Sequence, residues 1–162
     1  MKFTVKRAWQ TVCRKFFALI SGNSSPTKQW IPFDVAPGER LSPYLTDRDE
    51  YSAHKKIVRF TAFIPPKSLR KSVYWTSGMV EDEIWSLGDE FVAPSRGQIH
   101  GRADFNSYSM STNIRALAID LTGKPHPRHA DIVGWDDDRK KRRLQAERLA
   151  DDAVLVMRPP PV

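Results

Sequence analysis

The positive charge of this chain is concentrated at its N-terminal end. The 162-residue sequence carries a formal net charge of +7. Residues 1–33 contain no Asp or Glu and contribute six of these charges, from Lys2, Lys6, Arg7, Arg14, Lys15 and Lys28. The rest of the chain is close to neutral. A chain of this length supplies one typical domain, and that domain is expected to form after the basic segment.

Residues 1–21 are predicted to form an amphipathic basic helix. Apolar residues recur there at steps of three and four, and basic or polar residues fill most positions between them. Arg14 and Lys15 interrupt the apolar run, so neither a secretory signal nor a transmembrane helix is predicted. Such a helix is suited to contact nucleic-acid phosphates, to bind an anionic membrane surface, or to pack on the domain or a partner protein.

Three further segments are predicted after this helix. Residues 22–53, rich in proline, serine and charge, are expected to be a linker and irregular segment. Residues 54–157 are expected to form the folded domain, and residues 158–162 a proline-rich extended tail. Because Cys13 is the single cysteine, an intramolecular disulfide and a CxxC site are excluded, and a reducing cytoplasmic setting is expected.

Two strands and a helix are predicted at the start of the domain. Residues 57–64 alternate between apolar and polar side chains before two prolines, and residues 72–76 form a second short strand-like run. The two are expected to pair antiparallel through the intervening loop. Residues 80–88 are predicted to form a two-turn helix, with acidic residues in its first turn and Gly88 just past its end.

Further elements are predicted in the second half of the domain. Residues 99–105 are expected to form a strand or loop edge, residues 115–121 a strand, and residues 154–157 a buried strand-like end, while the polar run 106–113 lacks periodicity. The acidic triplet Asp136–Asp138 is expected to open a helix. The mixture predicts an α+β fold: a small, mostly antiparallel sheet with two or three helices, plus the N-terminal basic helix.

The segment PHPRHADIVGW is the densest group of chemically versatile side chains in the sequence. It contains two of the four histidines beside a cation, a carboxylate and a tryptophan. As an acid–base site, His129 would transfer protons while Arg102 and Arg128 stabilise a phosphate-like transition state. Asp104 or Asp131 would orient the imidazole. This pattern predicts a metal-independent enzyme acting on nucleic acid or a nucleotide.

A metal site is the second interpretation of this segment. His126 and His129, with His100, Asp104 or Asp131, offer nitrogen and oxygen ligands for a divalent cation. The flanking prolines favour extended backbone that turns the two imidazoles in different directions, and no established metal motif is present. The sequence therefore predicts neither a metal site nor a cofactor.

A structural role is the third interpretation. In it His129 donates to a backbone carbonyl, and Asp131 caps a turn. Ile132 and Val133 enter the core, and Gly134 bends the chain so that Trp135 covers the start of the next helix.

Five short motifs are spread over residues 57–157: FIP, SVYWTSG, EDEIWSLG, RAD and PRHADIVGW. Together they resemble the motifs of a group of small uncharacterised bacterial proteins, and RHADIVGW is the most specific part. The resemblance implies a shared fold and carries no activity.

A run of five cations follows the acidic triplet Asp136–Asp138. These cations are Arg139, Lys140, Lys141, Arg142 and Arg143. They are predicted either to form a solvated face balanced by the preceding acids or to contact phosphates. The predicted polyanion-binding set consists of this run together with Lys2, Lys6, Arg7, Arg14 and Lys15.

The sequence therefore favours a small cytoplasmic bacterial α+β protein that acts by binding, with nucleic acid or an acidic protein as its partner. One alternative is the metal-independent enzyme centred on His129. Another is a membrane-peripheral or complex-assembly subunit anchored by the N-terminal helix. Oligomeric state does not follow from the sequence.

Overall fold

A computed structural model describes residues 38–113 and 116–160 of the chain. These residues form an α+β fold with four α-helices and a mostly antiparallel sheet, as predicted. The predicted basic helix at residues 1–21, its five cations and the first part of the segment 22–53 lie outside the described residues.

The strands are short and most lie in one sheet. They are β1 (Arg40–Ser42), β2 (Tyr44–Leu45), β3 (Tyr51–Ser52), β4 (Ile57–Val58), β5 (Lys71–Trp75), β6 (Gly101–Asn106), β7 (Ala118–Leu121), β8 (His129–Val133) and β9 (Val154–Met157). The α-helices are α1 (Glu81–Phe91), α2 (Ala93–Arg96), α3 (Ser107–Asn113) and α4 (Arg139–Asp152). Two 3-10 turns lie at Arg48–Glu50 and Phe60–Ala62.

The main sheet is built around β6. Strands β1 and β2 pair with one edge of β6 in one continuous register, and β9 pairs with its other edge. Pro43 separates β1 from β2 because it has no N–H to donate, yet its carbonyl accepts a hydrogen bond from the Ala103 amide at 3.0 Å. The order across the sheet is therefore β9, β6, β1 with β2, β5, β8 and β7, with antiparallel pairing throughout.

The two faces of this sheet differ in polarity. Successive side chains of a strand point to opposite faces, and the strand sequences place apolar residues on one face and polar residues on the other. The apolar face packs against α4 and carries Leu41, Val73, Ala103, Phe105, Ala130 and Ile132. The opposite face carries Ser42, Tyr44, Tyr74, Arg102, Asp104, His129 and Asp131. This polar face positions the candidate functional groups.

Helix α1 covers part of the polar face through its apolar side. Ile84, Trp85 and Leu87 are buried there against Tyr44 and Ile99. The helix confirms the prediction for residues 80–88 but continues to Phe91, so the position predicted for Gly88 just past its end is wrong. Gly88 lies inside the helix, and a Cβ there would come within 2.7 Å of the Tyr44 and Ile99 side chains. Close packing, and not the end of the helix, therefore explains this glycine.

The strand predicted at residues 57–64 is mostly wrong. Only Ile57 and Val58 form a strand, which pairs with β3 rather than with β5. The chain then turns through the 3-10 segment and buries Phe63, whose ring meets that of Phe105 edge to face at 5.5 Å. Alternation of apolar and polar residues over a few positions suits this buried turn as well as a strand.

Two further segments differ from the prediction. Residues 40–45 form β1 and β2 inside the sheet, so the described part of the segment 22–53 is folded together with the domain. The polar run at 106–113 contains α3, and the RHADIVGW segment contains the interior strand β8. The strands predicted at 99–105 and 115–121 are confirmed as β6 and β7 with shifted ends, and that at 154–157 as β9 with the predicted bounds. The predicted burial of β9 is wrong, because Val154 and Met157 are exposed at this edge of the sheet.

Helix α4 begins where its cap predicts. The Asp138 carboxylate accepts hydrogen bonds from the amides of Lys140 and Lys141 at 2.9 and 3.0 Å. These bonds lower the pKa of Asp138 below its ordinary value. The predicted opening of this helix by the acidic triplet is confirmed.

Candidate functional site

A cavity of about 210 Å³ lies on the polar face, between strands β5 and β8 and the end of α1 with α2. Tyr74 and His129 are paired across the two strands, as are Ser72 and Asp131. Because these residues are directly opposite one another, their side chains emerge side by side on the same face. The cavity is lined by Tyr44, Ser72, Tyr74, Phe91, Val92, Ser95, Arg96, Pro125 and His129.

His129 is the central ionisable group of this site. The residue is 9% exposed, and its ring meets the Tyr74 ring edge to face at 5.2 Å. Its Nδ1 is hydrogen-bonded to the Thr122 hydroxyl. Its Nε2 lies 3.9 Å from Asp131 Oδ1, beyond hydrogen-bond distance. Burial lowers the pKa of His129, against the opposing effect of the Asp131 carboxylate, which favours neutral imidazole at neutral pH.

Asp131 is held beside this imidazole by two donors. Arg70 Nε donates to Asp131 Oδ2 at 2.9 Å, and the Ser72 hydroxyl donates to Oδ1 at 3.2 Å. The same guanidinium also binds Asp120, so its charge is shared by two carboxylates. Asp131 is thus fixed in position close to Nε2, where its charge would stabilise an imidazolium once formed.

The other walls of the cavity are aromatic and hydroxylic, with one cation. Burial raises the pKa of both Tyr44 and Tyr74, so both phenols stay protonated at neutral pH. The Tyr44 hydroxyl donates to the Ile84 carbonyl. Arg96 reaches the rim with a side chain 45% exposed, and its Nη2 lies 3.6 Å from Glu50 Oε1.

Arg102 and Asp104, predicted as partners of His129, belong to a different cluster. They lie on β6, and β1 with β2 and then β5 separate them from β8. The Arg102 side chain donates to both Glu81 oxygens at 2.7 Å and to Asp104 at 2.8 and 3.1 Å. Asp104 also accepts from the Ser42 hydroxyl at 2.6 Å. Three strand spacings of about 4.8 Å each separate Arg102 and Asp104 from His129, so the structure does not bring these predicted partners to the imidazole.

Arg128 is also turned away from the cavity. Its Nη1 donates to the carbonyls of Trp75 and Ser77 at 3.2 and 3.1 Å, which ties the chain before β8 to the end of β5. Its backbone amide donates to His126 Nδ1 at 3.1 Å. Of the five residues predicted as catalytic, the structure brings together His129 and Asp131.

The histidines and carboxylates proposed as metal ligands are not grouped in the described parts of the chain. Within residues 38–113 and 116–160, no three His, Cys, Asp or Glu side chains are placed so that they could hold an ion. His126 is turned toward Phe91, with ring centroids 5.0 Å apart.

The structural role predicted for the RHADIVGW segment is confirmed only in part. The predicted bond from the His129 ring to a backbone carbonyl is wrong, because Nδ1 is bonded to the Thr122 hydroxyl instead. Ile132 and Val133 are buried, and the Trp135 indole donates to the Ile132 carbonyl at 2.9 Å. Gly134 has a φ of 85°, and a Cβ there would come within 2.1 Å of the Ala116 carbonyl oxygen. The predicted turn cap by Asp131 is wrong, because this residue lies inside β8 and binds Arg70.

Several residues of the site have no counterpart in the sequence-based prediction. Thr122, Arg70 and Arg96 approach His129 or its cavity from separate loops and helices. Ser72 and Tyr74 had an available signal: they alternate on a predicted strand and would share a face. The missing information was the pairing of that strand with β8.

The cations at the start of α4 divide into two groups. Lys141 lies 3.8 Å from Asp136, Arg142 donates to the Asp136 carbonyl, and Arg143 pairs with Glu147 at 2.8 Å. Arg139 and Lys140 are exposed and pair with none of the described residues.

The fold and site define an α+β domain with a buried histidine at the wall of a small cavity. Comparisons with protein-family models, curated proteins and solved structures return no match to this chain. Among the described helices, none is both long and apolar enough to cross a membrane. The resemblance to small bacterial proteins stays a prediction.

Proposed function

We propose that the protein binds a small anionic, ring-containing ligand in the cavity beside His129. His129 then acts as the acid–base group in a reaction of this ligand. The observation that carries the proposal is the state of His129: buried, held at Nδ1, and with Nε2 unbonded to any described residue at the wall of a cavity. This proposal keeps the metal-independent enzyme predicted from the sequence but replaces most of its partner residues.

The size and lining of the cavity indicate the class of ligand. A volume of about 210 Å³ is below the roughly 300 Å³ at which pockets for drug-sized molecules begin, which favours a compact ligand with a single aromatic ring. Tyr44, Tyr74 and Phe91 supply ring surfaces for stacking or edge contacts. Arg96 at the rim supplies a donor fork for a carboxylate or phosphate group.

The proton-transfer step follows from the surroundings of the imidazole. A neutral His129 accepts at Nε2 a proton from a water molecule as that water attacks the phosphorus of a bound cyclic phosphate. The imidazolium that forms is stabilised by Asp131 and returns the proton to the ribose oxygen released when its P–O bond breaks. Asp131 stays in place because Arg70 and Ser72 hold both of its oxygens. General-base catalysis of this kind contributes about 10²–10⁴-fold to a rate.

The test combines binding with turnover. Uridine 2′,3′-cyclic phosphate, uridine monophosphate and inorganic phosphate are titrated in EDTA while the His129 ring signals are followed by NMR. Turnover of the cyclic phosphate is compared between the unmodified chain, His129→Gln, and the control His54→Gln, which changes an exposed histidine. The expected result is a shift at His129 and a loss of turnover of at least about 10²-fold in His129→Gln alone. Equal turnover in both variants, or no shift with any probe, would contradict the proposal.

A second candidate function is polyanion binding, which the charge distribution favoured at the outset. It is supported by the two exposed cations Arg139 and Lys140, which form no pair with described residues, and by the six cations of residues 1–33. The partner would be nucleic acid or an acidic protein in the cytoplasm. Binding through phosphate contacts weakens steeply with salt.

Absorbance at 260 and 280 nm tests this second function. The purified chain is compared with a chain lacking residues 1–21 and with Arg139→Gln/Lys140→Gln, before and after a high-salt wash. Co-purified nucleic acid that salt removes and that the variants lack supports the function. A clean protein in every case counts against nucleic acid as the partner.

A further inference from the structure

A second groove lies beside α1 and the C-terminal tail and shares no lining residue with the His129 cavity. It has a volume of about 750 Å³ and is bounded by α1, by residues 98–100, and by residues 157–160. The wall formed by the tail is anchored, because the Arg158 amide donates to the His100 carbonyl at 2.9 Å and so continues the pairing of β9. This volume falls within the range of ligand-binding clefts.

A guanidinium group already occupies one end of the groove. Arg158 donates to both oxygens of Asp89 at 2.6 Å each, and its Cζ lies 5.8 Å from the centre of the Trp85 ring. A planar cation bound in two-pronged fashion by a carboxylate and placed near an indole is the arrangement by which proteins recognise arginine. The tail thus shows what kind of group this end of the groove accepts.

The subsite for this guanidinium is rigidly supported. Trp85 is 7% exposed, and its ring centre also lies 4.8 Å from the Cζ of Arg102. Arg102 is itself held by ion pairs with Glu81 and Asp104. Trp85 therefore keeps its position whether or not Arg158 is present. A preformed aromatic wall lowers the cost of ordering a bound side chain.

The charge of α1 matches an incoming cationic segment. The helix carries five acidic residues and no basic residue. Glu81 and Asp89 are paired with arginines, whereas Asp82, also in the groove wall, pairs with none of the described residues. Asp82 and Asp89 are seven residues apart on the helix, about 10 Å along its axis, which is about three residues of extended peptide.

We propose that this groove is the docking site for an extended, arginine-bearing segment of a partner protein, and that Arg158 fills its guanidinium subsite in the free chain. The ion pair that holds Arg158 is partly open to solvent, with side chains 33% and 47% exposed. Such pairs are held weakly, so a partner arginine can replace Arg158 without unfolding the domain. Asp82 binds a second cation of the incoming segment.

Peptide binding to the full chain tests this proposal. The probe is a fluorescein-labelled peptide with the sequence VMRPP, copied from Val156–Pro160, and the control peptide has glutamine in place of arginine. Anisotropy is measured with the unmodified chain, Arg158→Ala, and Arg158→Ala/Asp89→Asn. Because an occupied subsite lowers the apparent affinity by the fraction of free sites, and a weak surface ion pair leaves a sizeable fraction free, Arg158→Ala is expected to bind the arginine peptide roughly two- to sixfold more tightly than the unmodified chain.

The double variant is expected to lose this gain, and the glutamine peptide is expected to show none of it. A matched control is Arg143→Ala on α4, which removes another arginine that pairs with a carboxylate and lies 4.5 Å from an aromatic ring centre. Arg158→Lys keeps a cation in place and gives an intermediate gain, and it serves in place of Arg158→Ala if that variant does not fold. Equal binding by the unmodified chain and Arg158→Ala, or equal binding of the two peptides, would overturn the proposal.

Discussion

The two polar clusters on the same sheet face differ in how completely their charges are paired. Around Arg102, each of the three guanidinium nitrogens donates to a carboxylate, and Ser42 and Thr76 extend the network across β1 to the residue after β5. Around His129, one ring nitrogen is bound and the other has no hydrogen bond to a described residue. A dense group of charged residues is therefore as typical of a structural ion-pair network as of a catalytic site. What distinguishes the candidate site is the incompletely paired group beside a cavity.

The largest expected effect comes from breaking the closed cluster. Arg102→Met leaves Asp104, with a side chain 11% exposed, without its main partner, and also removes the tie to α1 through Glu81. Removing one member of a buried ion pair costs about 3–5 kcal/mol. We expect a loss of this size in the free energy of unfolding, measured by urea denaturation at pH 7. A loss below about 1 kcal/mol would contradict a structural role for the network.

Lys71 is a buried cation on the opposite, apolar face of the sheet. It is 4% exposed, and its ammonium group forms no hydrogen bond or ion pair with any described residue. Burial lowers its pKa to about 8, against the opposing effect of Glu50. The unfolded chain therefore binds more protons between about pH 8 and the ordinary lysine value of 10.5, so stability should rise with pH across this window.

Replacing this lysine should stabilise the protein at neutral pH. A shift of one pKa unit corresponds to about 1.4 kcal/mol, which gives Lys71→Met an expected gain of about 3–4 kcal/mol at pH 7. The gain should shrink as the pH approaches 10. Thermal unfolding of both chains at pH 7 and pH 10 measures it, and an equal difference at the two values would show that the gain does not come from the charge.

The smallest expected effect is the acid sensitivity caused by His129. Its folded pKa is lowered by burial, so the stability it supports is complete above about pH 6.5, the ordinary histidine value, and is lost as the pH falls through the folded pKa. His129→Gln should therefore flatten the fall in unfolding free energy between pH 7.5 and pH 5. Urea curves of the variant and of His54→Gln make the comparison. If both substitutions change the pH dependence of the unfolding free energy equally, the acid sensitivity does not come from His129.

Elements with strong local patterns were predicted, whereas strands β1, β2 and β8, which depend on their pairing, were missed. The helix at Glu81–Phe91 and the start of α4 carry their signals within a few residues, in apolar spacing and in the Asp138 cap. Strands β1 and β2 were missed because Pro43 divides them into runs too short to show a period. Strand β8 was missed because His129 and Asp131 look like loop residues until their partners on β5 are known.

The candidate site shows the same division. His129 and Asp131 could be selected from the sequence, since their residue types and spacing suit acid–base chemistry. Arg102 and Asp104 were equally suitable by type, and the strand order placed them apart. Arg70, Thr122 and Arg96 could not be selected, because each approaches from a different segment.

The sequence alone determined the α+β class, the positions of two helices and several strands, the concentration of charge at the N-terminal end, and a short set of ionisable candidates. These properties depend on neighbours along the chain, through backbone periodicity, capping and charge counts. Tertiary structure alone decided which candidates are paired and which one has a ring nitrogen beside a cavity with no hydrogen bond to a described residue. It also decided where an arginine of the tail pairs with Asp89. Those outcomes depend on contacts between residues far apart in sequence, because burial and ion pairing are set by strand order and helix packing.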